Sequence, residues 1–290
     1  MRKKYESSEL IVNADKSIFH LHLHPEQIAD KIILVGDMGR VDVIRSYFDN
    51  VECDAQNREF KSVTGTYKGK RITVVATGIG TDNIDIVVNE LDALANINLD
   101  KREDNNTFRK LTFVRIGTCG GLQKNIPVDS FLVSEKSIGF DGVLNYYANR
   151  DSVCDVDFEQ EFVRQTNYSS RLTAPYCINS APDLVERIAQ KDMVRGITIS
   201  SPGFYGPQGR ELRLPLAFPN LNQHIEDFEY KGKKITNYEM ESSAIAGLAA
   251  LMGHDAMTVC VVIANRMLKQ YSKDYHPAVK KLVELVLERI

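Results

Sequence analysis

The chain has 290 residues, is 43% hydrophobic and 26% charged, and carries a formal net charge of −3. That length can bury a large α/β core, and the slight acidity removes the basic footprint of a nucleic-acid binder. No apolar run approaches the roughly 20 residues of a membrane span. Met1 to Asp15 is polar and lacks the apolar centre of a secretory leader. The cysteines (Cys53, Cys119, Cys154, Cys177, Cys260) are odd in number and far apart, with no C-x-x-C pair. Neither a disulfide framework nor a zinc site is therefore expected, and a reducing cytoplasm is the natural setting.

Residues 1–17 read as a loose polar lead to one domain over 18–290. In Ile18-Phe19-His20-Leu21-His22-Leu23-His24 the histidines alternate with apolar residues, which places them on one face of an extended segment. With no acidic partner nearby, contact-making histidines are expected there rather than a metal site. Lys31 to Val35 reads as a strand. It ends in Gly36-Asp37-Met38-Gly39-Arg40 before a helix with Val41, Ile44, Tyr47 and Phe48 on one face. Strand, glycine turn and helix expose backbone N–H groups that suit an anion, and Arg40 adds a fork of donors. The glycines also fit a purely steric role. Arg58 to Tyr67 and Arg71 to Ala76 pair as a hairpin through Lys68-Gly69-Lys70. Gly78-Ile79-Gly80 precedes a helix from about Ile84 to Ala95. A dinucleotide fingerprint is rejected, because its third glycine would fall at Asn83 and no suitable acidic residue follows. Asn96 to Lys110 reads as loop or extended helix end.

Leu111 to Ile116 is a buried-type strand ending in Gly117-Thr118-Cys119-Gly120-Gly121. Two readings stand: a phosphate nest charged by Arg115, or a tight turn with Arg115 paired to a carboxylate. Ser130 to Gly139 reads as a strand, Asp157 to Gln165 and Pro182 to Lys191 as helices, and Arg195 to Ile199 as a strand. The loop that follows offers Phe204, Gln208 and Arg210. An amide and a guanidinium can read the carbonyls and ring N–H of a planar heterocycle while an aromatic ring packs on its face. Residues 211–233 form an insert with a helix near Asn222 to Phe228. A strand from Lys234 to Asn237 then enters Glu239-Met240-Glu241, and an Ala-rich helix, Ser242 to Leu251, leaves it. Such carboxylates either favour a helix start or accept from ligand hydroxyls at the mouth of a sheet. Ala256 to Ile263 reads as a strand, and Ser272 to Ile290 as an amphipathic helix with Val279, Leu282, Val283, Val286 and Ile290 inward.

In order along the chain stand Phe19-His20-Leu21, Gly36-Asp37-x-x-Arg40, Arg58-Glu59-Phe60, Thr77-Gly78-Ile79-Gly80, Arg115-Ile116-Gly117-Thr118-x-Gly120, Phe204-Tyr205-x-x-Gln208-x-Arg210, Asn237-Tyr238-Glu239-Met240-Glu241-Ser242 and Asn265-Arg266. The set resembles nucleoside phosphorylases of the uridine phosphorylase type, over about residues 18–290. The resemblance implies a single-domain, three-layer α/β/α fold around a mixed sheet. It implies a phosphate side of Gly36, Arg40, Arg115, Thr118 and Gly120, with Arg58 reaching in from a neighbouring subunit. It implies a ribose side of Met240 and Glu241, with Glu239 as a ribose or supporting group and the neighbour's His20 at the 5′-hydroxyl. Gln208, Arg210 and Arg266 would carry the catalysis at the base, Phe204 would stack and Ile263 would wall the pocket. Nucleoside and inorganic phosphate are the implied small-molecule partners, with no organic cofactor or metal. A homo-oligomer with shared sites follows, a dimer or a hexamer built as a trimer of dimers. Met38 and Cys119 depart from the family's usual proline and threonine. A nucleophilic Cys119 has no evident base. The rival readings are a purine nucleoside phosphorylase, a nucleosidase and a non-catalytic nucleoside binder. Purine-specific members place an aspartate near position 265, where this chain has Asn265.

Overall fold

Short β-branched runs alternate with helices along the chain, and a computed structural model describes residues 3–290. β1 (Lys31–Val35) leads through α1 (Met38–Arg45) into an antiparallel meander of β2 (Asn50–Asn57), β3 (Phe60–Tyr67) and β4 (Lys70–Ala76). α2 (Thr81–Asn96), the short pair β5 (Ile97–Asn98) and β6 (Glu103–Asp104), β7 (Thr112–Gly121) and β8 (Phe131–Gly139) follow. Then come α3 (Val156–Thr166), β9 (Tyr176–Asn179), α4 (Pro182–Ala189) and β10 (Val194–Ser200). The last part holds α5 (Leu221–Asp227), β11 (Glu229–Tyr230), β12 (Lys233–Glu239), α6 (Ser242–Met252), β13 (Asp255–Asn265), β14 (Gln270–Tyr271) and α7 (His276–Arg289).

The main sheet runs β11-β12-β10-β8-β13-β7-β1-β4-β3-β2 and is mixed. β1 is parallel to β4 and β7, and β7 to β13, while β13 and β8 are antiparallel. Side chains alternate across it with the two-residue period of a strand. Ile32 and Leu34 face a core shared with α2 and α6, whereas Ile33 and Val35 face the opposite core of α1, α4 and α7. The result is the expected α/β/α layering. A third apolar cluster, with Phe158 and Phe162 of α3 and Ile225 of α5, fills the space beneath β10 and β12. The sheet curls far enough that β12 also meets β7, pairing Asn237 with Gly121 and Tyr238 with Gly120. That closure puts the carboxylates at the end of β12 and just after it, Glu239 and Glu241, beside β7. Among the described residues no helix is long and apolar enough to cross a membrane.

The structure corrects several expectations. The histidine stretch is not extended: it closes as a turn, with Ile18 N–H on the Leu23 carbonyl at 2.9 Å and His22 at φ 53°. Burial of Ile18, Leu21 and Leu23 in the core overrides the alternation. The lead is tied down too. Tyr5 donates to Asp104 at 2.7 Å and Leu10 is buried; residues 1 and 2 lie outside the described part. α1 ends at Arg45, so Tyr47 and Phe48 follow the helix rather than sharing its face. β2 and β9 escape sequence reading because one is half exposed and the other is four residues long.

The largest difference is at Gly117 to Gly121. The strand runs straight through, paired with β13, and none of Gly117, Gly120 or Gly121 has a positive φ. No nest or tight turn forms. The glycine at 117 is required for a different reason. Residues 115 and 117 share a strand face, and a Cβ on Gly117 would fall 2.1 Å from Nη1 of Arg115. Gly117→Ala should therefore lower unfolding free energy by about 1–3 kcal/mol, the range for overpacking, read as a reduced urea midpoint. Gly206→Ala, where a new Cβ meets nothing within 4 Å, should stay within about 0.5 kcal/mol. Equal losses at both positions would remove the steric argument.

Candidate active site

A cavity of about 310 Å³ opens where β1, β7, β12 and β13 end beside the loop after β10. Gly36, Arg40, Arg115, Thr118 and Gly120 line one part of it, Glu239, Met240 and Glu241 another, and Phe204, Gln208, Arg210 and Ile263 the rest. The structure thus brings together residues spread over more than 200 positions of chain.

Arg115 is a buried charge, 5% exposed on a strand with no other charged residue. Its guanidinium bonds Glu241, lies 3.3 Å from Glu239 and donates to Sγ of Cys260 at 3.7 Å. Burial works against its charge, but Glu241 and then Glu239 outweigh it and hold the pKa above the ordinary arginine value. The paired-carboxylate reading of Arg115 is therefore the observed one, although no turn accompanies it. Glu239 is nearly saturated: it accepts from Glu241 N–H at 2.9 Å, Ser242 N–H at 2.9 Å, Ser242 Oγ at 2.8 Å and Ser200 Oγ at 2.6 Å. It tethers the start of α6, as the helix-start reading expects, and it also lines the cavity. Glu241 accepts from Gly80 N–H at 2.7 Å. A carboxylate has about four acceptor positions, so Glu241 keeps capacity that Glu239 has spent.

Arg40 also lines the cavity, and its Nη1 donates to the Ile116 carbonyl at 3.1 Å. Burial, then the charge of Arg115, pushes its pKa below the usual arginine value. The start of α1 is already capped, since Asp37 accepts from Gly39 N–H at 2.9 Å. The start of α1 is thus not a bare helix end.

Arg210 lies over the Phe204 ring, its Cζ 3.8 Å from the centroid. Its Nη1 donates to Gln208 Oε1 and to the Phe204 carbonyl, each at 2.5 Å. Gln208 is 3% exposed while Phe204 is 49% exposed, which leaves a ring face for stacking. Burial, then repulsion from Arg266, pushes Arg210 down to about 10. Arg266 does not line the cavity. It sits behind it, Cζ 5.3 Å from the Tyr238 ring, with Nη2 buried and unpaired among the described residues.

His20 and Arg58 do not line the cavity either. His20 Nδ1 is 2.6 Å from Glu90, Arg58 sits 5.7 Å from the Phe19 ring, and Asn57 donates to the His20 carbonyl at 2.9 Å. They form a second cluster. Cys119 is buried, and burial followed by Cys260 pushes its thiol well above the ordinary value, the opposite of an activated nucleophile. Asn265 turns away from ligand space, donating to the Gln123 and Ile126 carbonyls at 2.8 and 2.6 Å. Sequence reasoning gave no role to Gly80, Tyr238 or Ser200. The Gly-x-Gly at 78–80 was the available signal: both glycines have positive φ, and the turn they make delivers an N–H to Glu241.

Comparison with known proteins adds an independent line. The family model described as the Phosphorylase superfamily matches residues 30–289. A uridine phosphorylase of Thermococcus kodakarensis is 29% identical, with 94% of this chain and 86% of that protein covered. A uridine phosphorylase of Escherichia coli K12 is 30% identical, with 86% of each covered. A solved Trypanosoma brucei nucleoside phosphorylase, described as showing uridine phosphorylase activity, superposes with a TM-score of 0.84 at 30% identity. It covers 97% of this chain and 98% of its own.

Removing one partner of a buried ion cluster leaves an uncompensated charge and costs about 3–5 kcal/mol. Glu241→Gln should destabilise the fold by that order in denaturant titration, despite its near-identical size. Stability equal to the parent would mean that the Arg115 charge is satisfied elsewhere.

Proposed function

We infer the reaction from one premise: the chain belongs to the phosphorylase superfamily. We propose that it is a uridine phosphorylase, a pentosyltransferase that converts uridine and inorganic phosphate reversibly to uracil and ribose 1-phosphate. The observation that carries the pyrimidine choice is the bonded Gln208–Arg210 pair against Phe204, in one cavity with Arg40. The named relatives support the same choice.

In this scheme Arg40 and Thr118 bind phosphate beside C1′, with Gly36 and Gly120 giving it close access. Arg115 supplies field from below through its ion cluster. Glu241 accepts from the ribose hydroxyls, Met240 and Ile263 form apolar walls, and Glu239 holds the α6 start in place. A phosphate oxygen forms the bond to C1′ as the C1′–N1 bond breaks through an oxocarbenium-like sugar. The bonding electron pair leaves on uracil, which then takes a proton from water. Positioning the two reactants lowers the barrier by up to about 7–11 kcal/mol. Gln208 and Arg210 stabilise the negative charge spreading onto the uracil carbonyls, roughly 3–4 kcal/mol per donor, and Arg266 adds positive field from behind Tyr238. Phosphate is a co-substrate, and the scheme needs no organic cofactor or metal.

We read the His20 and Arg58 cluster as groups for a neighbour's cavity in a homo-oligomer. Their grouping with Phe19, outside their own chain's cavity, supports this. The five free cysteines support a cytoplasmic setting.

Purified protein should release uracil from uridine only when inorganic phosphate is present. Release without phosphate would point to a nucleosidase, and binding without release to a non-catalytic binder. Arg210→Ala should depress kcat and kcat/KM together by about 10²–10³, and an unchanged kcat would take Arg210 out of the transition state. For the shared site, Arg58→Ala and Arg210→Ala chains, each impaired alone, should regain activity when co-expressed, since a mixed dimer contains one intact cavity. No recovery, or a monomeric mass in light scattering, would remove the shared site.

A further inference from the structure

We propose that Asn222 is a positioning residue for base specificity: from α5, within the 211–233 insert, it fixes the backbone of Gln208 and so the amide that reads the pyrimidine. This inference rests on the uridine reading and adds a residue to it. Asn222 is bonded at both ends of its amide. Its Nδ2 donates to the Gln208 carbonyl at 3.1 Å, and its Oδ1 accepts from the Tyr238 hydroxyl at 2.9 Å.

The approach is unusually close. Gly209, next to Gln208, has φ 66°, and a Cβ there would lie 2.0 Å from Asn222 Nδ2. A glycine is thus needed both for the left-handed backbone and for the space the asparagine occupies. Within the turn, Gln208 N–H and Arg210 N–H donate to the Tyr205 carbonyl at 3.0 and 2.9 Å, and Arg210 Nη1 donates to the Phe204 carbonyl and Gln208 Oε1. Such a turn sets its own shape but not its place against the cavity. Side chains from outside the turn decide that. Ser201 Oγ reaches the Pro207 carbonyl at 3.2 Å, and Asn222 reaches Gln208 itself. Asn222 continues into the cavity wall through Tyr238, whose ring also faces Arg266, and Ser201 does so through its N–H on the Glu239 carbonyl at 2.9 Å; of the two, Asn222 is the one that holds Gln208 itself. Tyr238 is 2% exposed, so its hydroxyl needs a partner there.

The brace matters because there is room to move. Asn222 and Arg210 border a second, largely apolar cavity of about 710 Å³, while Gln208 and Tyr238 line the smaller one. Without the brace, the Gln208 carbonyl can relax toward the larger space. Its amide has one accepting and one donating end, and Oε1 already receives Arg210. Uracil offers a ring N–H and a 4-carbonyl, whereas cytosine reverses both to an acceptor and an amino group. A held amide separates the two by leaving buried polar groups unpaired with the wrong base. A loose amide does not.

The test compares Asn222→Ala, Asn222→Asp, Tyr238→Phe and the Asn222→Ala/Tyr238→Phe double variant. Asn222→Ala and Asn222→Asp both lose the donor to Gln208, and the aspartate keeps the acceptor for Tyr238. Each should raise KM for uridine about tenfold and narrow the uridine-over-cytidine ratio of kcat/KM by a similar factor. KM for phosphate should stay within about twofold. Tyr238→Phe should shift the same quantities in the same direction, and the double variant should add less than the sum. An unaltered ratio in Asn222→Ala, an Asn222→Asp variant that matches the parent, or uridine and phosphate KM rising together with a falling Tm would each overturn the proposal. A parent protein that releases no uracil in the presence of phosphate would instead sink the uridine reading itself, and this inference with it.

Discussion

A cation held in an apolar strand is the constraint around which this molecule is arranged. Arg115 is buried in β7, and the guanidinium is tolerated only because Glu241 and Glu239 reach it from the junction of β12 and α6. Each carboxylate then does a second job. Glu239 gathers the first N–H groups of α6, and Glu241 takes the N–H of Gly80 at the start of α2. One ion cluster thus fastens two helix starts to the ends of two strands. Buried ion pairs contribute little net stability against an apolar alternative. What this one supplies is a single geometry at the cavity floor.

Above that floor the same cavity is lined by two further arginines, Arg40 and Arg210. Both arginines are pushed below their ordinary pKa by burial, and each is also repelled by another arginine, Arg115 in one case and Arg266 in the other. Such a group is incompletely compensated and gains most from an anion placed against it. In the proposed reaction, phosphate and the departing uracil are those anions. The charge that develops in the transition state meets donors already in place, so little reorganisation is left to pay for.

The sequence carried much of this in readable form. β1, the β3–β4 hairpin, α3 and α5 appear close to their expected positions because period and turn residues act locally. The loop with Phe204, Gln208 and Arg210 was legible since three complementary chemistries stand within seven residues. The glycines at 117–121 misled for an equally physical reason. Glycine allows a turn and also allows close packing, and only the neighbour at Arg115 decides between the two. The histidine alternation failed likewise, because three apolar residues found a core that the local pattern does not show.

By itself the sequence determined which groups were available: an arginine in a buried-type strand that needed an anionic partner, two glutamates at a strand end, and an amide beside a guanidinium. These follow from side-chain chemistry and short-range spacing, which depend on no distant contact. Only the tertiary structure decided the pairings. It matched Arg115 with Glu241, Gly80 with Glu241 and Asn222 with Gln208, and it set His20 and Arg58 apart from the cavity. Those pairings span 14 to 161 residues of chain. They are made when the sheet curls β12 onto β7, a closure driven by burial on three apolar clusters at once and so absent from any local stretch.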